Sequence, residues 1–290
     1  MTLFNAIIQG ILLGGLYALF ASGLSLMFGV MRTVNLAHGD FAVLAAFGAL
    51  LAVEHLHLSA IWSLVLVLPL MAVLGYVLQR LVLQRTVGAG PLAALLVTFG
   101  LSIIIQNGLQ EWFSADQRRL HLGSLETGGF TITKQLAIGY YPLLVFGMAV
   151  LLLVALWLFL GRTRLGRMMR ATSDDPEVAR LMGVDSRHIY GIATAIAFGS
   201  VALAGVFNGI STSFAPTSGS ILLIFAFEAV IIGGLGNLWG TLVGGVILGV
   251  AQNVGAWISP AQQVLAGHIV FLVILAVRPQ GLLGRKVATA

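Results

Sequence analysis

Very few polar residues interrupt the apolar stretches of this 290-residue sequence, and those few limit the chemistry it can support. Glu228 is the one acid deep within such a stretch. A carboxyl in the middle of a bilayer costs roughly 2.5–3.5 kcal/mol on insertion scales, so it must face other protein. There it suits proton coupling, contact with a solute amine, or a buried hydrogen-bonding strut. His268, in the last apolar stretch, reads as an interhelical hydrogen-bond donor. A second group, Asn35-Leu36-Ala37-His38-Gly39-Asp40, follows the first stretch. Polar side chains so close to a membrane interior either satisfy broken backbone or bind solute. As a solute site, a helix beginning near Asp40 favours an anionic group such as a carboxylate, against the charge of Asp40 itself. As structure, Asn35 makes a turn, Gly39 relieves crowding and Asp40 caps the helix that follows.

Covalent chemistry finds no support. There are no cysteines, which removes thiol catalysis, disulfides and thiolate metal sites. A phosphate-binding loop needs Gly-Lys followed by Ser or Thr, but Thr133 precedes Lys134 and Arg285 precedes Lys286. No nucleotide site is expected on this chain. No His-Glu-x-x-His, Gly-x-Ser-x-Gly or triad candidate occurs, so no catalytic residue, metal or cofactor is assigned. The run Gly233-Gly234-Leu235-Gly236-Asn237-Leu238-Trp239-Gly240 is not a dinucleotide fingerprint, because Trp239 takes the third glycine position and no strand–helix–strand context surrounds it. Gly240, Gly244, Gly245 and Gly249 instead have the spacing that lets helices approach closely.

The elements that must position these residues follow from composition. Only 9% of residues are charged, 59% are hydrophobic and the mean hydropathy is +1.01. Soluble domains carry roughly 25% charged residues, so this chain cannot cover a water-facing surface and lipid is its solvent. The formal charge of +5 is therefore read by location and not as a nucleic-acid signal. The stretch before Arg32 lacks a basic leader and exceeds the apolar core of a signal peptide, so it is expected to remain as a span.

A span needs roughly 20 apolar residues. Candidates are 5–30, 37–53, 58–79, 91–110, 140–160, 189–210, 220–234, 238–257 and 263–278. Glycines at 233–240 leave two readings there, two short spans or one broken helix, hence eight or nine spans in an all-α polytopic bundle forming a single domain over 1–290. Arg162, Arg164, Arg167, Arg170, Arg180 and Arg187 crowd the 161–188 loop, which is expected to be cytoplasmic. Arg32, Arg80, Arg85, Arg278, Arg285 and Lys286 fall on the same side when nine spans are counted, placing the N-terminus outside and the C-terminus inside. The 111–139 segment is then extracytoplasmic and reads as a short hairpin, its Arg118, Arg119 and Lys134 partly offset by Glu111, Asp116 and Glu126.

Within 161–188, Asp174-Asp175-Pro176-Glu177 supplies a capping acid, a first-turn proline and a further acid. Val178, Leu181 and Met182 share one face, and Gly183 stops the helix. A helix this short is marginal alone, so its apolar face must dock on something. Its own bundle, lipid headgroups, or a groove in a partner ATPase would each serve.

Taken in order, the motifs resemble the branched-chain amino-acid importer permease family of ATP-binding-cassette systems. The resemblance runs through Gly14-Gly15-Leu16-Tyr17-Ala18-Leu19, Gly23-Leu24-Ser25-Leu26, Phe28-Gly29-Val30 and the Asn35–Asp40 group. It continues through Arg170-Ala171, Ala179-Arg180-Leu181-Met182-Gly183-Val184, Gly233-Gly234-Leu235-Gly236 and Arg278-Pro279-Gln280-Gly281-Leu282, covering almost the whole chain. It points to the shorter of two permease types in a bacterial inner membrane. It implies a heterodimer of related permeases, two cytoplasmic ATPases that bind the ATP, an extracytoplasmic solute-binding protein and membrane lipid. It also implies that residues 174–183 couple to the ATPase and that Asn35, His38, Gly39 and Asp40 matter for transport. The alternative is a stand-alone secondary transporter or channel for a small polar solute such as urea or an amide, with Glu228 as the ion site.

Overall fold

The computed structural model describes residues 2–133 and 136–284. Lys134, Arg285 and Lys286 lie outside them. The elements are α1 (Leu3–Met31), α2 (His38–Leu56), α3 (Ser63–Leu81), α4 (Pro91–Phe113), α5 (Ser124–Thr127), β1 (Gly129–Thr133), β2 (Leu136–Gly139), α6 (Tyr140–Arg162), α7 (Arg164–Asp174), α8 (Pro176–Leu181), α9 (Ser186–Ser211), α10 (Gly219–Gly233), α11 (Leu238–Ile258) and α12 (Gln263–Val277). Among the described residues nine helical stretches are long and apolar enough to cross a membrane. The choice near 233–240 resolves as two helices: Gly234 and Gly236 take positive φ angles of 105° and 78°, and the Asn237 carbonyl oxygen Oδ1 caps α11 by accepting from Gly240 N at 3.0 Å.

Glycine decides which helices are central. In the most apolar stretches of α1 and α9, 83% and 78% of residues are buried, against 17% in α4 and 6% in α12. On α1, Gly10 and Gly14 meet Gly249 and Gly245 of α11: a Cβ on Gly249 would lie 2.3 Å from the Gly10 carbonyl oxygen. Backbones this close exclude any side chain, the small-residue packing expected of helices in lipid. On α9, Gly205 meets the Ala42 carbonyl of α2 at 2.1 Å from an ideal Cβ. Helices α1, α2, α9, α10 and α11 thus form a tight interior, with α3, α4, α6 and α12 around it.

Two helices start inside this interior. The His38 ring nitrogen Nε2 lies 3.0 Å from the Phe20 carbonyl oxygen. A carbonyl only accepts, so that nitrogen carries the proton. Roughly 16 Å of helix separates Phe20 from the end of α1, so residues 33–37 turn back into the bundle before α2 begins. From the other side Phe214 packs against Phe47, ring centroids 5.0 Å apart, and residues 212–218 descend to the start of α10. The two starts touch: a Cβ on Gly39 would lie 1.9 Å from the Gly219 carbonyl oxygen.

The basic loops gather on one face. Arg80 lies 4.0 Å from Asp185, Ser173 Oγ donates to the Gly29 carbonyl, and the C-terminal segment folds back beneath α10. There Leu282 N and Leu283 N donate to the Ile232 and Gly233 carbonyls at 2.8 and 3.1 Å, satisfying helix-end acceptors that lipid cannot. The opposite face carries the expected hairpin, β1 and β2 paired antiparallel with Gly129 opposite Gly139, and an Arg119–Glu126 ion pair that offsets one of its arginines.

Candidate functional site

The Asn35–Asp40 group is a buried polar knot at the meeting point of α2 and α10. Asn35 does form a turn: its Oδ1 accepts from Ala37 N at 3.0 Å, and its carbonyl accepts from His38 N at 3.2 Å. Asp40 does not cap α2. The helix starts at His38 with Ala37 as its capping residue, so the Asp40 side chain is free to cross the bundle. Its Oδ1 accepts from Gln106 Nε2 of α4 at 2.9 Å, and the same amide nitrogen lies 3.2 Å from Ser102 Oγ and 3.4 Å from Ser220 Oγ. Asp40 sits in the first turn of α2 beside the first residue of α10, where the positive ends of two helix dipoles stabilise a carboxyl group. The protein's own acid thus occupies the position that a free helix start would offer to a solute carboxylate.

Sequence reasoning missed Ser102, Gln106 and Ser220. Their signal was present in α4: Thr98, Ser102 and Gln106 recur every four residues and make one polar stripe on an apolar helix. Thr98 extends the knot downward, since its Oγ1 accepts from Leu36 N at 3.1 Å.

Glu228 lies apart, roughly 13 Å further along α10. Its carboxyl oxygen Oε1 is hydrogen-bonded to Nδ1 of His268, which ties α10 to α12. His268 is therefore satisfied across helices, by a partner 40 positions away that no local pattern identifies. Phe225 stacks on His268 and also meets the ring of Tyr17, whose hydroxyl donates to Gln252 Oε1. Glu228 thus belongs to a bracing contact between α1, α10, α11 and α12, and the structure does not bring it into the Asp40 knot.

On the basic face the loop is more ordered than expected. The arginine-rich residues 164–174 form α7, started by Thr163 Oγ1 accepting from Gly166 N at 2.9 Å. Gly166 and Met169 face the bundle, and Arg164, Arg167 and Arg170 face outward. Asp174 ends α7, and Asp175 caps α8, its Oδ1 accepting from Glu177 N and Val178 N at 2.9 and 3.0 Å. Pro176 opens α8, and Gly183 at φ 84° ends the turn after it. Ala179 is buried under the helix, whereas Val178, Leu181 and Met182 are 53, 86 and 80% exposed. Of the three surfaces open to that apolar face, its own bundle is excluded.

Comparison with known proteins agrees with this architecture. A family model described as the branched-chain amino acid transport system, permease component, matches residues 6–277. The chain is 30% identical to the high-affinity branched-chain amino acid transport system permease protein BraD of Pseudomonas aeruginosa, over 96% of this chain and 95% of that one. It is 27% identical to the corresponding protein LivH of Escherichia coli K12, over 96% and 94% of the two chains. It is 26% identical to a probable LivH of Methanocaldococcus jannaschii, over 85% and 79%. A polytopic bundle with this motif order and near end-to-end matches is a membrane transport subunit, and the chain belongs to the branched-chain amino acid transport permease family.

Proposed function

We propose that this permease is the membrane-spanning part of an ATP-driven importer for branched-chain or related amino acids, with ATP bound and hydrolysed on separate subunits. The observation that carries the reading is the face of Val178, Leu181 and Met182. It is apolar, exposed, and mounted on a doubly capped turn that the bundle does not cover. An exposed apolar cluster held this firmly fits the groove of a partner protein. Asp174, Asp175, Pro176, Ala179 and Gly183 set its shape. In this reading the 161–188 face is cytoplasmic, the N-terminus and the 111–139 hairpin are outside, and the membrane is a bacterial inner membrane. A second related permease, two ATPases and an extracytoplasmic solute-binding protein complete the complex. The solute crosses where the two permeases meet, Asn35, His38, Gly39 and Asp40 shape this chain's wall of the path, and Glu228 is a strut.

The test is reconstitution in liposomes with the ATPase subunits and binding protein. Leu181→Glu, on the exposed face, leaves the fold intact and is expected to reduce ATP-driven uptake about tenfold or more, an effect of about 1.4 kcal/mol on docking. Normal uptake by that variant overturns the docking role. Accumulation of solute by the permease alone, driven by an ion gradient, overturns the ATP-driven reading. Abolition of that uptake by Glu228→Gln would then make Glu228 the ion site.

A further inference from the structure

The polar knot at Asp40 continues toward the basic face. Below it, residues 33–37 pack against α3 and α4 around a small pocket of about 10 Å³, lined by Thr33, Asn35, Gln79, Thr86, Ala94 and Thr98 among others. That is room for about one water molecule, far too little for an amino acid. Two donors face burial there with nothing to bind: Asn35 Nδ2 and Gln79 Nε2 find no hydrogen-bond partner among the described residues. Both side chains are 1% exposed. The Gln79 amide also meets α9, where Thr194 Oγ1 lies 2.9 Å from its Oε1 and 3.0 Å from the Tyr190 carbonyl oxygen. An unsatisfied buried donor costs roughly 1–3 kcal/mol, so these two amides call for a polar partner in the pocket between them.

We propose that this pocket marks the inner half of this chain's wall of the solute path, and that the Asn35 and Gln79 amides there are donors to a solute carboxylate as it leaves the Asp40 knot. The proposal rests on the transport reading above and adds a site to it. Three observations lead there. Non-helical backbone at membrane depth persists only where protein buries it or where it lines a hydrated cavity, and residues 33–37 are such backbone. The stripe of Thr98, Ser102 and Gln106 joins the pocket to the knot over roughly 12 Å of an otherwise apolar helix. Finally, the door is tied to the docking face: Ser173 of α7 bonds the Gly29 carbonyl, and Arg32 Nη2 reaches the Ser173 carbonyl at 3.5 Å. Movement of α7 and α8 by a partner therefore pulls on the end of α1 and on the segment that lines the pocket. Asp40 repels a carboxylate and attracts an amine, while the two amides do the reverse, so the two levels hold opposite ends of a zwitterion.

The chain has no cysteine, so a single one reports without background. Ala94→Cys places it in the pocket wall. In the reconstituted complex, its reaction with a membrane-impermeant methanethiosulfonate applied from the basic face is expected to accelerate about tenfold or more during ATP turnover. An unchanged rate, in a complex whose wild type accumulates solute, overturns the inner site and leaves the transport reading standing. Absence of ATP-driven uptake by the wild type overturns both. Gln79→Glu tests the donors: it keeps an acceptor for Thr194 and puts negative charge in place of the amide. Amino-acid uptake is expected to fall about tenfold with ATP hydrolysis retained, and wild-type uptake by this variant overturns the donor role.

Discussion

Two acids lie inside the apolar bundle, and their surroundings differ in kind. Asp40 stands at the first turn of α2 against the first residue of α10, among the amide and hydroxyl groups of Gln106, Ser102 and Ser220. Glu228 stands in mid-helix with a single partner, His268, and aromatic rings around that pair. The first belongs to a cluster that opens onto a polar stripe and non-helical backbone, where groups can exchange partners as the protein moves. The second bridges two continuous helices, where a changed partner would only loosen them. The transport role proposed for Asp40 thus follows the helices that break beside it, and the strut role proposed for Glu228 the helices that run past it.

That contrast can be broken experimentally, beginning with the largest effect. Gly39→Val drives a side chain into the Gly219 carbonyl, 1.9 Å from the ideal Cβ, and is expected to eliminate folded protein as measured by monodisperse yield in detergent. Recovery of folded, active permease would show that the α2 and α10 starts do not need to touch. Asp40→Leu is expected to leave the bundle folded and reduce uptake about tenfold or more, because Gln106 loses its acceptor and the knot its charge. Uptake at the wild-type rate would remove Asp40 from the path. His268→Leu is expected to lower thermal stability by about 1–3 kcal/mol, since it leaves the Glu228 carboxyl buried without a partner, and Glu228→Leu in the same chain should restore most of it. A double variant no more stable than the single one would contradict the strut. Glu228→Gln, which keeps an acceptor for His268, should cost under about 1 kcal/mol and leave ATP-driven uptake within about twofold. A large transport loss there would erase the distinction between the two acids.

Much of this was legible in the sequence, and the exceptions have physical causes. The spans follow from apolar length, and the glycines of α11 do pack as their spacing indicates, Gly245 and Gly249 against Gly14 and Gly10 of α1. The β1–β2 hairpin was recognisable from its glycine and threonine content. Helix α7 was not, because its arginines dominate the composition and hide the apolar spacing of Leu165, Met168 and Met169. The capping role expected of Asp40 fails because His38 and Gly39 already lie in the helix, a shift of two residues that capping patterns do not resolve. The pairing of Glu228 with His268 depends on how α10 and α12 cross, and the unpaired amides of Asn35 and Gln79 appear only when α3 is placed against the turn before α2.

The C-terminal strap beneath α10 has a consequence for biogenesis. The carbonyls of Ile232 and Gly233 receive their partners from Leu282 and Leu283, after α11 and α12 have both been synthesised. While those spans are emerging from the translocon, the end of α10 is chemically incomplete and must be shielded by water or by the insertion machinery. Removing residues 281–283 would leave the sequence of every described span intact and take away the donors of both carbonyls. The strap therefore completes the hydrogen bonding at the end of α10 only after α11 and α12 have been made.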